Sequence, residues 1–184
     1  MVLRSEVSRD YPFAMSIDAI EIRLARADDA ASIAEVHDLA WRNAYRGLIP
    51  GRELERMVER RGPRWWRNAI DRKTRIVVLS FGKIIAGYAT YGRNRAASLP
   101  YHGEIFELYI RPEFQGLGFG RRLFTAVRRD LAGHEVRTLV VWALADNERA
   151  CSFYRRLGGH PVDTSVEQFG DSALPKVAFG WTTA

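Results

Sequence analysis

IRPEFQGLGFGRRL, residues 110–123, reads as the end of a strand, a break and the start of a helix. Pro112 lacks the N–H that a strand ladder needs, so it stops the apolar run before it. Gly116, Gly118 and Gly120 then alternate with Leu117 and Phe119, and Arg121 and Arg122 follow. Glycines at a helix entry let an anion approach the backbone closely. The first amides of the helix have no internal partner there, and the helix dipole is positive. The spacing is not that of a dinucleotide fingerprint, whose third glycine would fall at Arg121, nor of a Walker loop, which needs Gly-Lys-Ser/Thr. Taken alone, it also suits a tight turn that binds nothing.

GEIFELYI, residues 103–110, is the strand entering this loop. Beyond the loop, Leu123, Val127 and Leu131 recur four apart and predict a helix from Gly118 to about Leu131, ended by Gly133. VRTLVVWAL is a nearly continuous apolar run, as in a strand buried on both faces, and NERACSFYRRL is a helix stopped by Gly158-Gly159. VDTSVEQF and KVAFGW predict the last two strands. Upstream, RIVVLS and KIIAGYATY form a hairpin around Phe81-Gly82, and Ile20 to Leu24 is a short strand. Asp28 and Asp29 open a helix carrying Ile33, Val36, Ala40 and Ala44, ended by Gly47. A second helix runs from Arg52 to about Arg60, and a short one after Gly62-Pro63 bears Trp65 and Trp66, one expected in the core and one partly exposed. With that short helix left out, the order is βααβββαβαββ. This is a single α/β (α+β) domain with a central mixed sheet of about seven strands, spanning residues 19–184 behind a flexible arm at residues 1–18.

The 184 residues suffice for one well-buried domain. The hydrophobic share of 47% against 27% charged excludes a disordered chain. No apolar run approaches the ~20 residues needed to span a bilayer, and the first residues lack the apolar core of a secretory signal, so a cytoplasmic protein without membrane partners is expected. With Cys151 the one cysteine and four scattered histidines, no metal is expected. The net charge of +6 is spread along the chain, which speaks against nucleic acid and for a solvated surface plus a pocket for a polyanionic small ligand.

Gln115-x-x-Gly118-x-Gly120 after GEIFELYI resembles the acetyl-CoA-binding motif of the GCN5-related N-acetyltransferase superfamily. NERACSFYRRLGG, about 30 residues on, resembles that family's second motif through Asn147, Ala150, Phe153, Tyr154 and Gly158. The resemblance implies a sheet splayed between the fourth and fifth strands. Acetyl-CoA would be the co-substrate, its pantetheine arm pairing with Leu108, Tyr109 and Ile110 like an added strand. It places the pyrophosphate on Gln115, Gly116, Leu117, Gly118, Phe119, Gly120 and Arg121, and gives Asn147 a hydrogen bond to the arm; Asn147 is also an ordinary helix N-cap. A homodimer is compatible with it.

Amide formation needs a neutral amine, and a lysine-like amine with pKa about 10.4 is uncharged only a few times in ten thousand at pH 7. The resemblance makes Glu104 the candidate general base. Strict alternation would put Glu104 on the face of Phe106 and Leu108. Glu107 is the second choice, because a bulge would change which of the two points inward, and His102 the third. The resemblance makes Tyr154 the general acid for the departing thiolate, with the backbone N–H of Leu108 facing the developing oxyanion. Cys151 reads as a buried structural residue, so direct attack in a ternary complex is expected. On the acceptor side the resemblance points to Trp41 and Tyr45, four apart on one helix face, and to the EQFGDSALP turn; Asp163, Glu167 and Asp171 could meet a cationic amine. The acceptor is a small-molecule amine or a protein amino group. The rival reading is a domain of the same fold that senses acetyl-CoA without turning it over.

Overall fold

The computed structural model describes residues 20–96 and 98–182; the arm expected at residues 1–18 lies outside them. Seven strands form one mixed sheet in the order β1-β2-β3-β4-β5-β7-β6. They are β1 (Ile20–Leu24), β2 (Ile76–Phe81), β3 (Ile84–Arg93), β4 (Gly103–Ile110), β5 (Leu139–Leu144), β6 (His160–Phe169) and β7 (Ser172–Trp181). The helices are α1 (Ala30–Tyr45), α2 (Gly51–Arg60), α3 (Pro63–Asp71), α4 (Phe119–Gly133) and α5 (Glu148–Arg156). Among the described residues no helix is long and apolar enough to cross a membrane.

The expected elements are present, with shifts at their ends. A 3-10 turn at Ala27–Asp29 precedes α1, because the Asp29 carboxylate is taken by the Arg23 guanidinium (2.7 and 2.9 Å) and by the Arg26 amide (2.7 Å). The tryptophan-bearing segment is a nine-residue helix with Pro63 in its first turn, where a missing N–H costs nothing. Trp66 is fully buried and Trp65 is partly exposed. The last hairpin is longer than the sequence suggests, since β7 continues back through Pro175 to Ser172. The Pro175 carbonyl accepts from Ala145 N at 2.8 Å, just past the end of β5. The proline nitrogen faces that same side, where β5 supplies no further ladder partner.

Two apolar layers sandwich the first five strands. On one face α4 and α5 press Leu123, Val127, Leu131 and Tyr154 onto Ile105, Val141 and Phe179. On the other, α1 and α3 press Ile33, Val36 and Trp66 onto Ile76, Val78 and Tyr88. A third cluster joins Trp41, Leu54 and Val58 to Leu144 and Phe169, so that α2 rests against the β6–β7 turn.

Two irregularities position the site. First, β4 and β5 run parallel for only three pairs, Gly103–Ile105 against Leu139–Val141. Beyond them β4 keeps β3 and β5 keeps β7, but the two have no ladder with each other. This is the splay expected between the fourth and fifth strands. Second, Thr90 pairs with Glu107 while Tyr91 pairs with Ile105, so Phe106 is the extra residue of a bulge in β4.

The bulge corrects the strict alternation expected in GEIFELYI. Ile105, Leu108 and Ile110 all pack toward α4 and α5. Glu104, paired with Val140 of a separate cluster, therefore lies on the opposite face, the one occupied by Glu107 and Tyr109, and does not share the face of Leu108.

The β3–β4 contact beside the splay has no slack. A Cβ on Gly87 would lie 2.3 Å from Ile110 Cδ1 and 2.7 Å from the Tyr109 carbonyl oxygen. Gly87→Ala should therefore destabilise the fold by about 1–3 kcal/mol, read as a lower denaturation midpoint with unchanged m-value. An unaltered midpoint would mean that the end of β4 is loosely held.

Candidate active site

The splay opens a cleft of about 870 Å³ that runs from the glycine loop, between β4 and β5, to the C-terminal end of α1. That size suits a small-molecule ligand. Leu108, Tyr109, Ile110, Gln115, Gly116, Gly118, Gly120, Arg121, Asn147, Tyr154 and Tyr45 line it, as do Phe106, Glu107, Trp142, Arg149 and Arg156.

At one end the chain is built for an anion. Gly116 and Gly118 have φ of +83° and +79°, the left-handed region that favours glycine, and a Cβ on either would meet nothing within 4 Å. Gly118 caps α4 without any side-chain hydrogen bond, which leaves the first-turn amides available. Gly120 is needed for another reason: its Cβ would stand 3.1 Å from the Phe153 ring, so a bare α4 lets α5 come close. Arg121, Arg149 and Arg156 add cations to this end. Bare amides, open space over two glycines and three guanidinium groups are the donor set a diphosphate requires, so the residues present fit coenzyme A. Leu117 points away, half exposed, and Phe119 is buried in the core against Phe114; neither lines the cleft.

Gln115 and Asn147 both brace the local backbone. Gln115 Nε2 donates to the Ile110 carbonyl at 3.0 Å, and its Oε1 accepts from Arg149, tying the end of β4 to α5. Asn147 Oδ1 accepts from Ala150 N at 3.1 Å, capping α5. The rest of each side chain faces the cleft.

The two glutamates of β4 have different surroundings. Glu104 is buried and saturated by one residue: Arg95 reaches it through its backbone N (3.0 Å), Nε (3.2 Å) and Nη2 (2.8 Å). Glu104 does not line the cleft, whereas Glu107 does. Glu107 pairs with Arg61 at the end of α2 and accepts from the Tyr88 hydroxyl at 3.2 Å. Burial pushes its pKa above the ordinary carboxylate range, and the Arg61 charge and the hydrogen bonds hold it back in part.

This network extends inward. Tyr88 spends its one proton on Glu107, so at 2.9 Å from His37 Nδ1 it must accept, which makes His37 the Nδ1–H tautomer. Burial, and next the Arg61 charge, lower the His37 pKa to about 3, so the ring is neutral at any working pH. Sequence reading reached Glu107 as the second candidate, but His37, Arg61 and Tyr88 share no motif with it and meet it only in the folded chain.

Tyr154 lines the cleft from α5, and burial raises its phenol well above the ordinary value, so it keeps its proton. Across the cleft the Tyr45 and Tyr109 hydroxyls are hydrogen-bonded at 2.9 Å. Trp41 stacks edge-on to Tyr45 with ring centroids 4.9 Å apart, but it belongs to the core behind it and does not line the cleft. His102 is on the surface, held to Thr138. Cys151 is buried, its thiol aimed at the Leu144 and Ala145 carbonyls and pushed up by burial, the reverse of an activated nucleophile.

Residues 50–159, more than half the chain, match the acetyltransferase (GNAT) family. The chain belongs to that family. The uncharacterised N-acetyltransferase YuaI of Bacillus subtilis is 25% identical over 162 residues, covering 88% of this chain and 92% of that one. A mycothiol acetyltransferase of Streptomyces scabiei is 30% identical over 140 residues, which cover 76% of this chain but only 42% of that protein. The PaiA N-acetyltransferase of Thermoplasma acidophilum, solved with coenzyme A, has the same fold at a TM-score of 0.71 and 19% identity over 85% of this chain and 97% of that one. YncA of Salmonella typhimurium, solved with acetyl-CoA, superposes with a TM-score of 0.64 at 19% identity over 89% of this chain and 94% of its own.

The position of Glu107 in this GNAT domain has a consequence for stability. Its raised pKa means that the folded chain binds the proton more tightly than the unfolded one, so its contribution is greatest below the unfolded-state pKa and declines as pH rises toward the folded-state value. Glu107→Gln should raise the melting temperature relative to the wild type at pH 7, with the gap closing below about pH 4. A wild type that is the more stable at pH 7 would show that the Arg61 pair outweighs desolvation.

Proposed function

We propose that the chain transfers the acetyl group of acetyl-CoA to a primary amine of a small molecule or protein, by direct attack in a ternary complex. The observation that carries this reading is the continuity of the cleft: bare amides and guanidinium groups at one end, a desolvated carboxylate and a protonated phenol further along, and the unpaired edges of β4 and β5 between them.

Acetyl-CoA supplies an activated thioester. The amides of Gly118, Phe119 and Gly120 and the cations of Arg121 and Arg149 bind the diphosphate, and the backbone of Leu108 to Ile110 takes the extended arm as an added strand. Asn147 supports the arm from α5. Glu107 is the better base of the two glutamates, because it lines the cleft and burial raises its proton affinity. Glu104 is spent on Arg95. As the C–N bond forms and the C–S bond breaks, Glu107 receives the amine proton and Tyr154 donates to the departing sulfur, with the N–H of Leu108 turned to the carbonyl oxygen. Tyr45 walls the acceptor side.

Calorimetry with CoA and thiol release with an amine panel test this directly; a chain that does not bind CoA sinks it. Glu107→Gln should lower kcat about 10²- to 10⁴-fold while CoA affinity is kept, and Glu104→Gln should cost much less in kcat. The opposite order would return the base role to Glu104. Tyr154→Phe should lower kcat with CoA affinity unchanged; full turnover would remove its role as acid.

A further inference from the structure

The charges around the proposed base are layered in a particular order. Glu104 and Glu107, both on the acceptor-facing side of β4, are buried, with side chains 5% and 8% exposed. Their partners stand outside them: Arg95 is 67% exposed and Arg61 is 32% exposed. A solute arriving on this side meets guanidinium first and carboxylate behind it. Arg95 is also held rigidly. Its backbone N, Nε and Nη2 are all bonded to Glu104, and its guanidinium carbon sits 4.0 Å over the ring of Phe106, a residue that lines the cleft. Its Nη1 is left unused among the described hydrogen bonds. Glu104 thus acts as an anchor that orients a cation over Phe106, the cleft residue next to Glu107 in β4.

The far wall has the reverse order. Lys176 lies 4.9 Å over the ring of Trp142, another cleft residue, and is bonded at 2.6 Å to Glu167. There the carboxylate is the more exposed partner, 48% against 22%. The acceptor side therefore offers an anchored cation over Phe106 and a half-exposed carboxylate paired to the lysine over Trp142.

Resting on the acetyltransferase reading above, we propose that the acceptor is an amine carrying its own carboxylate close to the reacting nitrogen, that is, an amino acid, and that Arg95 receives that carboxylate. Nε and one Nη2 proton are spent on Glu104, so the edge that receives it is Nη1 with the outer Nη2 proton, and this edge costs little further ordering because Glu104 and Phe106 already hold it. Phe106, on which Arg95 stacks, adjoins Glu107 in β4, which sets the nitrogen beside that carboxylate toward the base.

The test is thiol release from acetyl-CoA with free amino acids, each measured beside its amide and its decarboxylated amine, and with polyamines and a peptide N-terminus in the same panel. The expected result is that kcat/KM is highest for the free amino acids. Arg95→Gln should lower their kcat/KM by about 10- to 100-fold more than that of the matched amides, chiefly through KM. Arg95→Lys, which keeps the charge and loses the fork, should fall between. Turnover confined to acceptors without a carboxylate, or absent with every free amino acid, overturns the proposal without any variant being made. Equal losses on amino acids and amides in Arg95→Gln overturn it as well. Calorimetry with CoA on the same preparations separates the two levels. A chain that binds CoA but prefers polyamines or peptides refutes the amino-acid acceptor alone, whereas a chain that does not bind CoA refutes the acetyltransferase reading beneath it.

Discussion

The loss of hydrogen bonding between β4 and β5 after Ile105 and Val141 is the constraint on which the rest of the structure turns. Two neighbouring strands of one sheet that part company leave backbone donors and acceptors without partners, and such groups are costly unless something else satisfies them. Each strand can leave because its outer neighbour holds it. β4 stays laddered to β3 through Gly87 and Ile110, and β5 stays laddered to β7 as far as Leu144 and Lys176. The ends are then pulled into different clusters, Ile110 under α4 and α5, Leu144 under Trp41 and Leu54. Packing in two directions keeps the crevice open, and the edges it exposes are those an extended ligand can complete.

The bulge at Phe106 is the second half of the same device. It shifts the parity of β4 midway, so that Ile105 and Leu108 both face the α4–α5 core while Glu104, Glu107 and Tyr109 face the other way. Without the extra residue Glu107 would share the face of Ile105, toward the α4–α5 layer, and Tyr88 and Arg61 would have no carboxylate to hold. The polar network is therefore a consequence of one residue's worth of strand length.

What the chain reveals before folding is local. Pro112, the alternating glycines and the four-residue apolar spacing that follows locate the strand, loop and helix at the glycine end of the cleft, because each rests on nearest-neighbour sterics. Even there the three glycines differ in kind: two hold left-handed backbone, and Gly120 makes room for a ring 33 positions later in the chain, which spacing does not show. The carboxylate question was not legible. Alternation assigns Glu104 and Glu107 to faces only if the ladder is regular, and a bulge is set by pairing with β3, a long-range fact. Trp41 shows the same limit in another form: helical spacing puts it beside Tyr45, yet the turn that follows buries it against Ile49 and Phe169 and leaves Tyr45 alone at the cleft.

The buried groups around Glu107 also explain why such an arrangement can persist in a marginally stable domain. A carboxylate in an aromatic shell is expensive, and a half-satisfied polar network is worse than none. Here the burden is spread. Arg61 reaches Glu107 from the end of α2 while its guanidinium stacks 4.3 Å over Trp65, Tyr88 supplies a neutral donor, and His37 ends the chain as an uncharged ring whose buried Nε2 has no partner, rather than as a second cation. Because His37 stays neutral, the charges set against Glu107 are Arg61 and, more weakly, Arg95, and burial outweighs them, leaving the carboxylate with a raised proton affinity. A fully buried cation in place of the partly exposed Arg61 would hold the carboxylate ionised and make it a poorer proton acceptor. Placing the cation partly exposed at the end of α2 leaves the carboxylate with a raised proton affinity.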